Sequence, residues 1–324
     1  MSPTLSFIIP VYNEEESIEE LFAQIQQSCK QNGYDRYEVI FIDDGSTDGS
    51  TDKIRAIISQ SEQQEKPEKV TLIRFRKNFG KAAALQAGFE KATGEIAITM
   101  DADLQDDPFE IPKLLAKMDE GFDVVSGWKQ VRHDPMEKRI PSKLFNWVTA
   151  KMSGIHIHDF NCGFKAYRQI VYRNLNLYGE MHRYIPIQAK RLGFSTGETA
   201  VEHHARKHGH SKYGFERYLR GLFDSMTSSF LLHYGDRPMH FFGRPGLLMC
   251  GIGIIICLIL TVQWLGGQGI GTRPLLALGI LLITVGFQFF ATGLSCEMML
   301  DRLGNRGSNP TRIAEVITSG KPKE

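Results

Sequence analysis

Asp101, Asp103 and Gln105 alternate after a short apolar run, Glu95 to Thr99, and Pro108 then opens a helix. Residues two apart on an extended chain project to the same side, so these three oxygen-bearing side chains can converge on one point. Two carboxylates meeting at a strand end repel each other unless positive charge sits between them. A hard divalent cation, Mg²⁺ or Mn²⁺, meets that need, because it takes few carboxylates and completes its shell with substrate phosphate oxygens. In isolation the same residues would read as a solvated acidic turn capping the helix at Pro108. The choice rests on what else the chain brings to that strand end.

The elements that must position this turn alternate along the first half of the chain. Leu5 to Tyr12 reads as a buried strand containing Pro10, and Asn13-Glu14-Glu15-Glu16-Ser17 starts a helix running to about Gln31. Ile18, Leu21, Phe22 and Ile25 fall there at helical spacing. Tyr37 to Asp43 is a second strand, leading into the turn-rich Asp43-Asp44-Gly45-Ser46-Thr47-Asp48-Gly49-Ser50. Val70 to Phe75, Glu95 to Asp101 and Asp123 to Ser126 read as further strands, with helices over Lys81 to Thr93 and Pro108 to Glu120. This alternation predicts an α/β fold with a mostly parallel sheet wrapped by helices. Ligands bind such sheets at the carboxyl ends of strands, where Tyr12, Asp43, Asp44, Asp101 and Asp103 fall. There is no Gly-x-Gly-x-x-Gly, and Gly80-Lys81 lacks the rest of a P-loop. A dinucleotide dehydrogenase or P-loop NTPase is disfavoured; a nucleotide held by acidic strand ends and a metal fits better.

The 324 residues carry 38 basic and 37 acidic side chains, a formal net charge of +1 that gives no electrostatic case for nucleic acid. The five cysteines form no Cys-x-x-Cys pair, which argues against a disulfide framework and is compatible with a reducing cytoplasm. Leu5 to Val11 is too short for a signal sequence, and Pro10 and an acidic run follow at once.

Val11-Tyr12-Asn13-Glu14, Asp43-Asp44-Gly45-Ser46 and Asp101-Ala102-Asp103-Leu104-Gln105-Asp106 resemble the signature of inverting family 2 glycosyltransferases with the GT-A fold. Arg76-Lys77-Asn78-Phe79-Gly80-Lys81 narrows the resemblance to the polyprenyl-phosphate sugar transferases. That group includes dolichyl-phosphate mannose synthase and bacterial undecaprenyl-phosphate enzymes. His158 to Arg168 and Gly179 to Pro186 resemble the same group, and the likeness extends over nearly the whole chain.

The resemblance implies roles residue by residue. Pro10, Tyr12, Glu14, Asp43 and Asp44 would hold base and ribose, with Lys81 near the nucleotide. Asp101 would assist there, and Asp103 with Gln105 would ligate Mg²⁺ or Mn²⁺. Lys129 or Arg132 falls where the family carries an arginine near the diphosphate. Asp159 would stand beside the sugar near the transfer point, as a base or an orienting group. Arg206, Ser211 and Lys212 resemble the segment facing the acceptor, where Arg forks onto phosphate and Lys adds a point charge. A solvated charged loop is the alternative for that run. Its histidines invite a zinc site, but their spacing matches no standard one. The pair His156 and His158 is better read as a polar strand edge than as metal ligands.

From Lys129 the pattern changes, and Arg139 to Met152 has an amphipathic helical pattern; Phe215 to Tyr234, further on, has another, suited to a membrane surface. Met239 to Pro245 follows as an interfacial connector. Gly246 to Leu265 and Leu275 to Cys296 are each long enough to cross a hydrocarbon core of roughly 30 Å. Arg273 alone lies between them, whereas Arg237, Arg244, Arg302, Arg306 and Arg312 flank them, which places the flanks in the cytoplasm. The expected organisation is therefore a GT-A domain over 1–213, a connector over 214–245, a two-helix anchor over 246–298 and a tail over 299–324. The catalytic domain and both termini would lie on the cytoplasmic side of a bacterial inner membrane.

The expected reaction is transfer of a sugar from a nucleotide-sugar to a polyprenyl phosphate, with inversion. A UDP-sugar is favoured over GDP-mannose by analogy with the bacterial two-helix group, and homo-oligomer formation is left open. A processive polysaccharide synthase would need more membrane helices and a Gln-x-x-Arg-Trp motif, which the chain lacks. A non-catalytic membrane scaffold of the same fold is opposed by the intact acidic set.

Overall fold

The computed structural model describes residues 4–63, 69–130, 157–179, 181–202, 204, 227, 230, 234–235, 237–269 and 274–303. The chain divides into two compact units, Met1–Ser229 and Phe230–Glu324. In the first, β1 (Leu5–Val11), β2 (Tyr37–Asp43), β3 (Lys69–Arg74), β4 (Ile96–Thr99), β5 (Val124–Lys129), β6 (Lys165–Arg168) and β7 (Thr196–Val201) form one seven-stranded sheet. Its order is β3-β2-β1-β4-β6-β5-β7. Leu5, Phe7, Ile8, Ile9 and Val11 are all buried, the continuous apolar run of a strand covered on both faces. Pro10 lies two residues beyond Ile8, whose carbonyl takes the last bond from β4, so its missing N–H falls where that neighbour has ended.

Helices α1 (Ile18–Asn32), α2 (Ser50–Glu62), α3 (Lys81–Lys91) and α4 (Ile111–Asp119) cover the sheet. Ile18, Leu21, Phe22, Ile25 and Cys29 form the buried stripe of α1 and share one core cluster with Phe7, Phe41 and Leu114. Each such side chain contributes roughly 1.5–3 kcal/mol when fully buried. Gly33, at φ 67°, ends α1 in the left-handed conformation.

The sheet is mostly parallel, as expected; of its seven strands β6 alone is reversed, running antiparallel to both β4 and β5, which side-chain periodicity does not encode. One feature differs from the expectation. The helix expected from Pro108 is split into a 3₁₀ turn, Pro108–Glu110, and α4, since Pro112 again removes a donor near the helix start. Asp107 caps the 3₁₀ turn by accepting the Phe109 N–H at 2.8 Å.

In the second unit the helices Pro238–Leu265 and Pro274–Leu303 pack on each other. A Cβ on Gly246 would lie 2.7 Å from Gly286 O, and one on Gly253 would lie 2.7 Å from Gly279 O. The two backbones therefore touch without intervening side chains. Leu248, Ile255, Leu258, Val262, Leu281 and Phe287 point outward and are exposed. Both helices are long and apolar enough to cross a membrane, and only 17% and 11% of their most apolar windows is buried. The first begins at Pro238, so Met239 to Pro245, expected as a connector, is helical. The expected amphipathic helices Arg139 to Met152 and Phe215 to Tyr234 lie outside the described residues, apart from isolated positions in the latter.

Candidate active site

Val11, Asp43 and Arg74 end their strands in register, and the loops that follow are laced together. Asn13, at φ 55°, donates its N–H to Ser46 Oγ at 3.0 Å and accepts the Thr47 N–H at 2.8 Å. Glu14 N–H reaches Ser50 Oγ at 3.0 Å. Asp43 is fully buried, accepting the Thr51 hydroxyl and, at 2.8 Å, the Ser46 N–H. Asp44 accepts the N–H groups of Phe79 and Gly80 at 2.7 and 2.9 Å, and burial raises its pKa despite them. Gly45 passes so close to the next loop that a Cβ would lie 2.6 Å from the Lys77 carbonyl carbon. The two acids expected at the nucleotide thus shape these loops, while the side chains turned outward include Tyr12 and Phe79. Pro10 stays within β1, opposite Ile42.

The acidic stretch is not an extended continuation of β4. The strand ends at Thr99, and Leu104 adopts φ 59° with its side chain buried. A non-glycine residue in that conformation is held there by its surroundings. Asp103, 7% exposed, accepts the Gln105 N–H at 3.2 Å, and the Asp101 N–H donates to Asp106 at 3.3 Å. A turn therefore gathers these acids, where the sequence pattern implied alternation along a strand.

Lysines neutralise two of them. Lys81, the first residue of α3, binds Asp101. Burial alone would raise the Asp101 pKa, but the Lys81 charge overrides it and holds the carboxyl at about 2. Lys129 Nζ lies 2.7 Å from Asp106 Oδ1, with both side chains almost fully enclosed, and the pair raises the Lys129 pKa in spite of burial. Lys129, expected near the diphosphate, is thus engaged with the turn itself. The other candidate, Arg132, and the acceptor candidates Arg206, Ser211 and Lys212 lie outside the described residues.

Asp159 is buried and accepts the Asn161 N–H at 3.1 Å. Its loop meets the acidic turn at Gly163, where a Cβ would lie 2.7 Å from Asp101 Oδ2 and 3.0 Å from Lys81 Nζ. His182, on the 3₁₀ turn Met181–Tyr184, feels the charges of Lys81, Asp101 and Lys165. Burial, reinforced by Lys81, drives its pKa well below the usual imidazole range. Neither His182 nor Lys165 was marked for a role by sequence, because only pairing across the fold brings them here. His158, read from sequence as a strand-edge residue, binds Glu198. His156 lies outside the described residues.

Among the described residues, one group of three candidate metal ligands lies within 4.8 Å: Asp107, Glu202 and His204. His204 Nε2 is 3.1 Å from Asp107 Oδ2, and the His204 N–H donates to Gln105 O at 3.0 Å. The group therefore borders the turn that carries Asp103 and Gln105. Asp107 stands far from Glu202 and His204 along the chain, so spacing in the sequence did not reveal the group.

Residues 6–175 match the family model described as Glycosyl transferase family 2. The chain belongs to that family. As a family 2 member it is a glycosyltransferase, and its seven-stranded α/β sheet is of the GT-A kind. It is 35% identical to the dodecaprenyl-phosphate galacturonate synthase of Rhizobium johnstonii, across 97% of this chain and 92% of that one. It is 33% identical to an undecaprenyl-phosphate 4-deoxy-4-formamido-L-arabinose transferase of Pseudomonas fluorescens, across 98% and 91%. Two solved structures share the fold. Glucosyl-3-phosphoglycerate synthase from Mycobacterium tuberculosis, in complex with Mn²⁺, UDP and phosphoglyceric acid, has a TM-score of 0.52 at 20% identity over 71% of this chain and 78% of that one. A mannosyltransferase of Pyrobaculum calidifontis, in complex with GDP-Man and Mn²⁺, has a TM-score of 0.51 at 17% identity over 96% and 78%. Two exposed apolar helices, in a family 2 chain with lipid-linked relatives, point to association with a membrane.

Proposed function

We propose that this family 2 enzyme transfers a sugar from a nucleotide-sugar, UDP-linked in preference to GDP-linked, to a polyprenyl phosphate, with inversion at the anomeric carbon. One observation carries the reading: a lysine-buttressed acidic turn after the central strand β4 and two exposed apolar helices occur in one chain. Nearly all of that chain aligns with relatives named for polyprenyl-phosphate sugar transfer.

The donor set at the turn is carboxylates, an amide and one imidazole, which suits Mg²⁺ or Mn²⁺. Asp103 and Gln105 would hold the ion, with Asp107, Glu202 and His204 beside them. When bound, it neutralises charge on the departing diphosphate, so no protein acid is needed at the leaving group. Asp101 fixes Lys81 as a cation facing the nucleotide. Tyr12, Glu14 and the loop shaped by Asp43 and Asp44 hold base and ribose. The nucleophile is a phosphate oxygen, largely ionised near neutral pH because its second pKa is about 6. Asp159 then orients acceptor and sugar and is not called on as a strong base. Arg206, Ser211 and Lys212 bind the acceptor phosphate, and Arg132 serves the diphosphate. The arginines flanking the two helices support a cytoplasmic catalytic unit, with both termini on that side of a bacterial inner membrane.

The test offers purified enzyme undecaprenyl phosphate, Mg²⁺ or Mn²⁺, and a panel of labelled nucleotide-sugars, then counts label in the organic phase. Label carried by a UDP-sugar is expected. No transfer from any donor would overturn the reading.

A further inference from the structure

A polar row crosses one half of the sheet. Thr99 of β4 stands opposite Lys165 of β6, Lys165 opposite Ser126 of β5, and Ser126 opposite Glu198 of β7. Residues directly opposite on neighbouring strands project to one face, so the four side chains form a line. Thr99, Lys165 and Ser126 are buried, and apolar residues would fill such positions at less cost, so a polar line needs a reason.

Three of the four hold the segment that contains Asp159. Thr99 Oγ1 donates to Gly163 O at 2.7 Å. Lys165 Nζ donates to Phe160 O at 3.3 Å and to Cys162 O. Glu198 accepts the His158 N–H at 2.8 Å on one carboxylate oxygen and binds the ring Nδ1 with the other. That ring stacks on Trp128, 4.1 Å between centroids and 13° from parallel. Asp159 lies between the Glu198 anchor and the Lys165 anchor.

Lys165 is 2% exposed, and among the described residues its ammonium forms no ion pair with a carboxylate, only bonds to main-chain carbonyls. Burial lowers its pKa, as expected of a cation enclosed on such terms. A buried charge of this kind is poor evidence for stability, since an apolar residue of similar volume often serves as well. Its effect is geometric, because it fixes two carbonyls immediately after Asp159.

We propose that Lys165 and Glu198 are positioning residues for Asp159, gripping its loop from β6 and β7 so that the carboxylate stands at the transfer point. The proposal rests on the assignment of Asp159 above. Neither residue touches substrate; each acts through the loop.

The test uses the full-length enzyme in detergent with undecaprenyl phosphate and the donor found active. Glu198→Ala should lower kcat about 10- to 100-fold, the loss expected from displacing a reacting group by about 1 Å, while donor KM stays within about threefold. Glu198→Gln keeps an acceptor for the His158 N–H and should recover most of kcat. Lys165→Met should act in the same direction as Glu198→Ala, with faster amide exchange in the peptide 157–164. Ser126 is the control: its hydroxyl is buried with no hydrogen-bond partner among the described residues, so Ser126→Ala should leave kcat unchanged. A folded Glu198→Ala enzyme with kcat within about twofold of wild type overturns the proposal, and so does an equal loss in Ser126→Ala. Wild-type enzyme that moves no sugar to lipid defeats the functional reading and this proposal with it, which separates that failure from the other two.

Discussion

Lys129, the last residue of β5, and Asp106, in the turn after β4, form a buried ion pair at 2.7 Å. It ties the acidic turn to a strand two places away in the sheet. Removing one partner strands the other's charge in the interior, at a cost of about 3–5 kcal/mol. Lys129→Met should therefore lower stability by that amount, and adding Asp106→Asn should restore most of it. Denaturant titration of the purified variants checks this; equal midpoints for wild type and Lys129→Met would refute a structural role for the pair.

The metal assignment predicts that Asp103→Ala loses transfer by about 10²-fold or more, the scale of losing a key electrostatic contact, with an unchanged melting temperature. Chelation should abolish wild-type transfer, and Mn²⁺ or Mg²⁺ should restore it. His204→Ala should raise the Mn²⁺ concentration for half-maximal rate about tenfold, as loss of an outlying ligand does. Normal turnover of Asp103→Ala in metal-containing buffer would place the ion elsewhere.

Asp101 is held at about 2 against an ordinary value of 3.8. A depressed folded pKa contributes stability that is fully present above the unfolded value and is lost as pH falls through the folded one. Its contribution should therefore persist down to about pH 4 and disappear toward pH 2. Asp101→Asn should flatten the stability profile across that window relative to wild type. Parallel profiles for the two would show that Lys81 does not hold the carboxyl down.

At Gly163 a methyl group would meet Asp101 Oδ2 at 2.7 Å and Lys81 Nζ at 3.0 Å. Gly163→Ala should cut turnover about 10- to 100-fold by pushing the Asp159 loop off the pair, with the fold kept. Steady-state kinetics beside a thermal melt would detect it, and unaltered turnover would mean the contact relaxes freely.

Between the two long helices, a Cβ on Gly286 would lie 2.6 Å from Gly246 O. Gly286→Leu should force the helices apart and lower the detergent-solubilised melting temperature, while nucleotide binding by the first unit persists. Cross-linking of cysteines placed on facing helix positions would report the separation; unchanged yield would mean the close approach is dispensable.

Much of the first unit was legible because its strands are runs of buried aliphatic residues, Leu5–Val11 and Tyr37–Asp43 above all, followed by polar turns. The acidic turn was legible as a gathering of acids after β4 but not in its geometry. Alternation implied a strand continuing past Thr99, and nothing local announces that Leu104 takes a left-handed conformation. Asp43 and Asp44 read as ligand contacts; the structure adds that their oxygens accept from Ser46, Thr51, Phe79 and Gly80, because carboxylates near a buried strand end also satisfy loop amides, a second role that the sequence does not announce. Lys129 with Asp106 and Glu198 with His158 depend on the order and direction of strands, which a one-dimensional pattern does not encode.

Reversing β6 has a topological consequence. A strand running with its neighbours would receive its incoming chain at the opposite rim, about 13 Å away for four residues at roughly 3.3 Å each. Turned around, it delivers the stretch ahead of it to the rim where the other strands discharge theirs. Two stretches far apart in sequence, the turn after β4 and the loop ahead of β6, therefore face one another at a single rim.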